Sequence, residues 1–126
     1  MLTCRIFIVE DDPTLQKLYQ WVLKNAGHTV IGTANDGVEA VDMFRAFLEK
    51  PDIIIMDHRM PNKEGIETSR EILKMCRRTK IIFASADISV KKVAIELGVE
   101  SFLSKPFEIS LLLQEIKRIT TAKNRY

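Results

Sequence analysis

Asp52-Ile53-Ile54-Ile55-Met56-Asp57 decides the fold. Four apolar residues, three of them β-branched, stand between two aspartates. A run that short is apolar on both faces, as in a central strand of a parallel sheet. Outward from it, short apolar runs alternate with stretches of helical period. On the N-terminal side Ile6-Phe7-Ile8-Val9 reads as a buried strand that stops at Glu10-Asp11-Asp12-Pro13. Asp12 is placed to cap the following helix, with Pro13 in its first turn. Leu15, Leu18, Tyr19, Val22, Leu23 and Ala26 share one face of that helix, and Gly27 stops it. Trp21 lies off the stripe, either covering a neighbouring helix or standing exposed. Thr29 to Thr33 reads as the second strand. Asp36 and Glu39 then have capping-box spacing. Val38, Val41, Phe44 and Leu48 follow at helical spacing until Pro51.

On the C-terminal side the loop His58 to Gly65 leads into a helix reaching about Arg77, with Ile66, Ile72, Leu73 and Cys76 toward the core. Ile81 to Ala84 is a fourth buried strand, ending at Ser85. A helix from about Ser89 to Leu97 is stopped by Gly98. Ser101 to Leu103 is the last strand, ending at Ser104-Lys105-Pro106. The last helix begins near Glu108, with Ile109, Leu112, Ile116 and Ile119 on one face. Five strand–helix alternations predict an α/β fold, a parallel sheet with helices on both faces. Right-handed crossovers leave few topologies for it.

The chain has 126 residues, 46% of them hydrophobic, which suits one domain over 1–126 with a core from about 4 to 121. A net charge of +2 is too mild for a dedicated nucleic-acid or anionic-membrane binder. The basic tail Lys117, Arg118, Lys123 and Arg125 reads as a solvated helix end. Cys4 and Cys76 lack partner histidines at metal spacing and read as free thiols of a reducing compartment. Met43, Met60 and Met75 read as packing residues. MLTCRIFIVEDD is cut off by acids too early for a signal peptide or membrane span, so a cytoplasmic location is expected.

The polar residues of interest share one address. Glu10 and Asp11 follow the first strand, Asp57 ends the third, Ser85 ends the fourth, and Lys105 follows the fifth. Open parallel sheets bind ligands outside the carboxyl ends of their strands. If strands one and three are neighbours, roughly 4.8 Å apart, three carboxylates crowd one site. Their repulsion is relieved by a divalent cation, and oxygen-only ligands favour Mg²⁺. Lys105 supplies a point charge for phosphoryl oxygens and Ser85 a hydroxyl. A carboxylate is a competent nucleophile toward phosphorus. Singly, each residue reads as a cap or turn residue. Together they supply the groups one phosphoryl-transfer reaction needs.

These elements, IFIVEDDP, PDIIIMDHRMPNKEG, IIFASAD and SFLSKPF in that order, resemble the receiver domains of two-component response regulators from Arg5 to about Thr120. The resemblance implies a flavodoxin-like, doubly wound sheet in the order 2-1-3-4-5. It implies that Asp57 is the phosphoacceptor, that Asp11 ligates Mg²⁺ directly (Mn²⁺ as a substitute) and that Glu10 acts through water. The Arg59 backbone carbonyl would be another ligand. Ser85 matches the switch hydroxyl, Lys105 the phosphate-binding lysine before a cis bond to Pro106, and Phe102 the switch aromatic. Glu10 stands where Asp is more usual, and Phe102 lacks the phenol of the frequent Tyr. Arg59 and Asp87 occupy places that tune phosphoryl hydrolysis, and are expected to pair across the site. The implied role is a signalling switch with self-phosphorylation and self-dephosphorylation only, not an enzyme. Its implied donor is a sensor histidine kinase or phosphotransfer protein. The implied output is another protein, an effector domain, or a homodimer through helix four, strand five and helix five. Direct nucleic-acid or membrane binding is not expected.

Three other readings compete. A haloacid-dehalogenase-like phosphatase needs an Asp-x-Asp motif after the first strand, whereas Asp57-His58-Arg59 lies on the third and lacks the second acid. A flavin or dinucleotide module needs a glycine-rich turn where this chain has acids. A receiver-like interaction module that is never phosphorylated would share the fold, and only an assay separates it from a switch.

Overall fold

The computed structural model describes residues 3–123. Strands β1 (Arg5–Val9), β2 (Thr29–Ala34), β3 (Ile53–Asp57), β4 (Lys80–Ser85) and β5 (Ser101–Ser104) alternate with helices α1 (Pro13–Asn25), α2 (Gly37–Ala46), α3 (Gly65–Met75), α4 (Lys91–Leu97) and α5 (Ile109–Lys123). The sheet order is β2-β1-β3-β4-β5, and every neighbouring pair is parallel. All five residues of β3 are buried, which is why its sequence reads as an unbroken apolar run.

The period of two along the strands divides the core. Phe7, Val9, Ile54, Met56, Ile81 and Phe83 face one side and pack with Phe44, Ile72, Leu73 and Ala94 from α2, α3 and α4. Ile6, Ile8, Ile53, Ile55, Ile82 and Leu103 face the other and pack with Tyr19, Leu23, Leu112 and Ile116 from α1 and α5. Each Val, Leu, Ile, Phe or Met among them, fully buried, contributes about 1.5–3 kcal/mol relative to exposure.

Several expectations are corrected here. The second helix ends at Ala46, and Leu48 is fully exposed instead of on its inner face. Lys50 explains the early stop: its ammonium donates to the carbonyls of Phe44, Arg45 and Phe47, closing the helix from below. The inner face of α2 is Gly37, Ala40, Val41 and Phe44, while Val38 is exposed. On α1, Leu18 and Trp21 are both open to solvent, and Ala26 is the C-cap. The third helix stops at Met75, short of Arg77. The fourth begins as a 3-10 turn, Ile88–Val90, with Asp87 capping it. Thr120, near the end of the expected core, is buried in α5. Arg118 is not simply solvated: it pairs with Glu115 at 3.0 Å and Glu100 at 3.3 Å. Arg125 lies outside the described residues. Met60 is buried and Met43 packs on the core, while Met75 is partly exposed. Among the described residues, no helix is long and apolar enough to cross a membrane.

Candidate functional site

The parallel register brings the polar strand ends to one edge. Val9 pairs with Met56, so Glu10 follows level with Asp57 on the next strand. Asp57 pairs with Ala84, and Ser85 with Ser104. A cavity of about 250 Å³ opens there. Glu10, Asp11, Asp57, Arg59, Ser85, Asp87 and Lys105 all line it. Phe102 is the one residue singled out from sequence that does not; it stands half-buried on β5 and stacks on Phe83. A larger cavity of about 460 Å³ lies at the opposite edge, near Cys4 and Asp52.

Glu10, Asp11 and Asp57 each present an oxygen, and these atoms lie within 4.8 Å of one another. Glu10 and Asp57 are buried, while Asp11 is exposed. The Lys105 ammonium sits 2.8 Å from Glu10 Oε1 and 3.3 Å from Asp57 Oδ1. Burial pushes the Glu10 carboxyl up to about 7, the Asp57 charge adding to the rise against Lys105 and the Asp12 amide. Burial likewise raises Asp57, opposed by Lys105 and the His58 amide. At Lys105 burial works against the ammonium, but the two carboxylates outweigh it and hold it above its ordinary range. One ammonium cannot balance three carboxylates, and the all-oxygen donor set fits a hard divalent cation. The Lys105–Pro106 bond is cis.

Ser85 is buried, and its Oγ accepts from the Asp87 amide at 3.0 Å. Arg59 and Asp87 pair at 2.9 Å over the mouth of the cavity. A hydrogen bond from Ser89, then its amide and the Arg59 charge, hold the Asp87 carboxyl below the usual range.

Other supporting residues carry no signal in the sequence. Gln16 donates to the Glu10 carbonyl at 2.9 Å and to Asn35 at 3.2 Å, bracing the acidic turn. Tyr19 is buried beneath the site, and burial with the charges of Glu10 and Asp57 raises its phenol. Gly65 was legible only as a loop end, yet a Cβ there would meet the Asp57 carbonyl at 2.1 Å. The start of α3 lies against the end of β3 because this residue has no side chain.

Residues 6–117 match the response regulator receiver domain. The chain belongs to that family. It is 33% identical over 117 residues to Protein CcdB of Bacillus subtilis, covering 91% of this chain and 96% of that one. It is 34% identical over 118 residues to the chemotaxis protein CheY of Thermotoga maritima, covering 92% and 97%. Among solved structures it resembles CheY of Borrelia burgdorferi in a CheX–CheY–BeF₃–Mg²⁺ complex, with TM-score 0.86, 26% identity, and coverage of 91% and 87%. It also resembles the Thermotoga maritima regulator TrrA in complex with Mg²⁺–BeF, with TM-score 0.82, 28% identity, and coverage of 91% and 97%. Receiver domains are signalling domains that interact with kinases and output effectors and bind Mg²⁺ at an acidic pocket, and this receiver domain has such an acidic cluster.

Proposed function

We propose that this receiver domain, one unit spanning the chain, is a phosphorylation-dependent switch of a two-component system, with Asp57 as phosphoacceptor. The observation that carries the proposal is the placing of Lys105 between Glu10 and Asp57, within a cluster of three carboxylate oxygens. Asp11, Asp57, the Arg59 backbone carbonyl and, through water, Glu10 would hold Mg²⁺ or Mn²⁺. Bound there, the cation would neutralise charge on the transferring phosphoryl group. An Asp57 oxygen forms the new O–P bond as the donor's N–P bond breaks, and the donor imidazole nitrogen leaves with the electron pair. Lys105 holds a phosphoryl oxygen as a point charge. Ser85 donates to another, giving up the Asp87 amide contact that holds it now.

The donor is a histidine kinase or phosphotransfer protein of the cytoplasm. Beside the cavity, Leu15, Leu18, Tyr19, Pro106, Phe107 and Ile109 line an apolar groove of about 320 Å³ that shares Lys105 with it. This groove is where a donor helix can seat its apolar face and still reach Asp57. The output is a change at Phe102 and the face of α4, β5 and α5, read by another protein, an effector domain or a second copy. Arg59 and Asp87 restrict the water that would hydrolyse the acyl phosphate. Arg59→Ala and Asp87→Ala are each expected to shorten phosphoryl lifetime by no more than about fivefold, because an exposed pair is weak. Unchanged lifetimes in both would remove this role.

The test of the whole reading is intact mass after incubation with acetyl phosphate, with and without Mg²⁺. One phosphoryl adduct that needs Mg²⁺ and is absent from Asp57→Asn is expected. No adduct on folded protein would favour an interaction module that is never phosphorylated.

A further inference from the structure

His58 follows the acceptor directly, and the transfer chemistry makes no use of its side chain. The residue is only 6% exposed beside an open cavity. Its Nε2 lies 3.3 Å from Glu64, and its Nδ1 is buried without a hydrogen-bond partner among the described residues. Polar contacts therefore give a poor account of this burial, since an unpaired buried group is destabilising. Ring contacts give a better one. The His58 and Phe83 centroids are 5.8 Å apart at a 40° tilt. Phe83 in turn stacks on Phe102, at 5.8 Å and 16°. Sheet order makes the row: Met56, Phe83 and Phe102 are in register on β3, β4 and β5. His58 follows Met56 by two, on the same face.

Phe83 is fully buried, so it has no path to solvent. It stands with His58 toward β3 and Phe102 toward β5. We infer that His58 is a positioning residue: a backstop that fixes Phe83 as the wall on which Phe102 stacks. Close packing makes this effective, because a ring removed behind Phe83 leaves space into which Phe83 tilts, and Phe102 then loses its stacking surface. The link to Asp57 is short. The His58 amide donates to Asp57 Oδ1 at 2.9 Å, so the acceptor and the backstop share one backbone unit. Phosphorylation removes charge from that carboxylate and weakens a charge-assisted bond. The signalling meaning of the backstop rests on the phosphoacceptor reading, whereas its packing role does not.

Ring-labelled phenylalanine NMR of the full chain tests both. Wild type, His58→Ala, His58→Gln, His58→Phe and Phe83→Leu are compared metal-free, then with Mg²⁺ and beryllofluoride, a mimic of the phosphoryl group. In the metal-free state the Phe102 signals of His58→Ala and His58→Gln are expected to move toward those of Phe83→Leu, and His58→Phe to restore the wild-type positions. With beryllofluoride the Phe102 response should fall at least twofold in the Ala and Gln variants and persist in His58→Phe. Phe102 signals indifferent to all three His58 substitutions would overturn the inference. Rescue by Gln but not by Phe would overturn it too, by assigning the role to the contact with Glu64. A wild type that does not respond to beryllofluoride would sink the phosphoacceptor reading instead, and the metal-free spectra would still decide the backstop. Should His58→Ala fail to fold, His58→Gln and Phe83→Leu carry the comparison.

Discussion

The buried acid pair is where single residues oppose stability most clearly. Glu10 is 2% exposed, and its carboxyl, raised to about 7 by burial, works against the metal-free fold near neutral pH. The sign follows from linkage. Its folded pKa lies above the unfolded one, so the folded state binds the proton more tightly. Stability is therefore lost as pH rises from about 4.5 to about 7, and the full penalty stands above that. In a chelator at pH 8, Glu10→Gln should stabilise the protein by about 1–2 kcal/mol, allowing for solvent screening. At pH 4 the gain should vanish, because the wild-type carboxyl is then protonated in both states. Urea midpoints at the two pH values check this, and equal gains at both would show that the effect is not titration. Lys105 keeps Asp57 as a partner in this variant, so no buried ammonium is stranded.

At the scale of elements, α2 shows how helix ends are set by side chains at a distance in sequence. Its N-terminus is capped by Asp36, which accepts from the Glu39 amide at 2.8 Å and from Asn62 at 2.8 Å. Those two bonds hold the Asp36 carboxyl below its ordinary range. Asp36→Ala should cost about 1 kcal/mol at pH 7. A depressed carboxyl stabilises above its unfolded pKa, so this cost should fade as pH drops through the folded value. A cost that persists in strong acid would mean that the charge is not involved. Lys50→Met at the other end should also cost about 1 kcal/mol, by unpairing the last carbonyls. The Asp36 cap was legible because the signal is local, three residues apart, although the Glu39 carboxylate closes the expected box on the Asn35 amide and not on that of Asp36. The Lys50 cap was not, since no propensity marks a lysine that reaches back over a broken helix. The same missing contact explains why Leu48 reads as core and stands in solvent. Likewise the carboxylates, lysine and serine were legible from strand ends alone, whereas Gln16, Tyr19 and the row from His58 to Phe102 depend on packing between elements.

For the molecule as a whole, one edge carries a penalty that the rest of the fold must offset. The two faces of the sheet bury separate apolar clusters that share the central strands, and β3 sits between them with Asp57 at its tip. Lys105 offsets only part of the repulsion there, and the strand cannot retreat without breaking both clusters. A cation that binds only the folded site must therefore shift the global transition. At a concentration of 100 times Kd, the stabilisation is about 2.7 kcal/mol. For a chain of this size that corresponds to a rise in Tm of about 6–12 °C. Mg²⁺ titrated into the chelated protein should raise Tm in this manner. Asp57→Asn should start at a higher Tm, since one charge has been removed, and should respond much less. The two effects come from the same repulsion, so they should appear together. A variant as Mg²⁺-responsive as wild type would place the cation elsewhere and separate the stability of this edge from its chemistry.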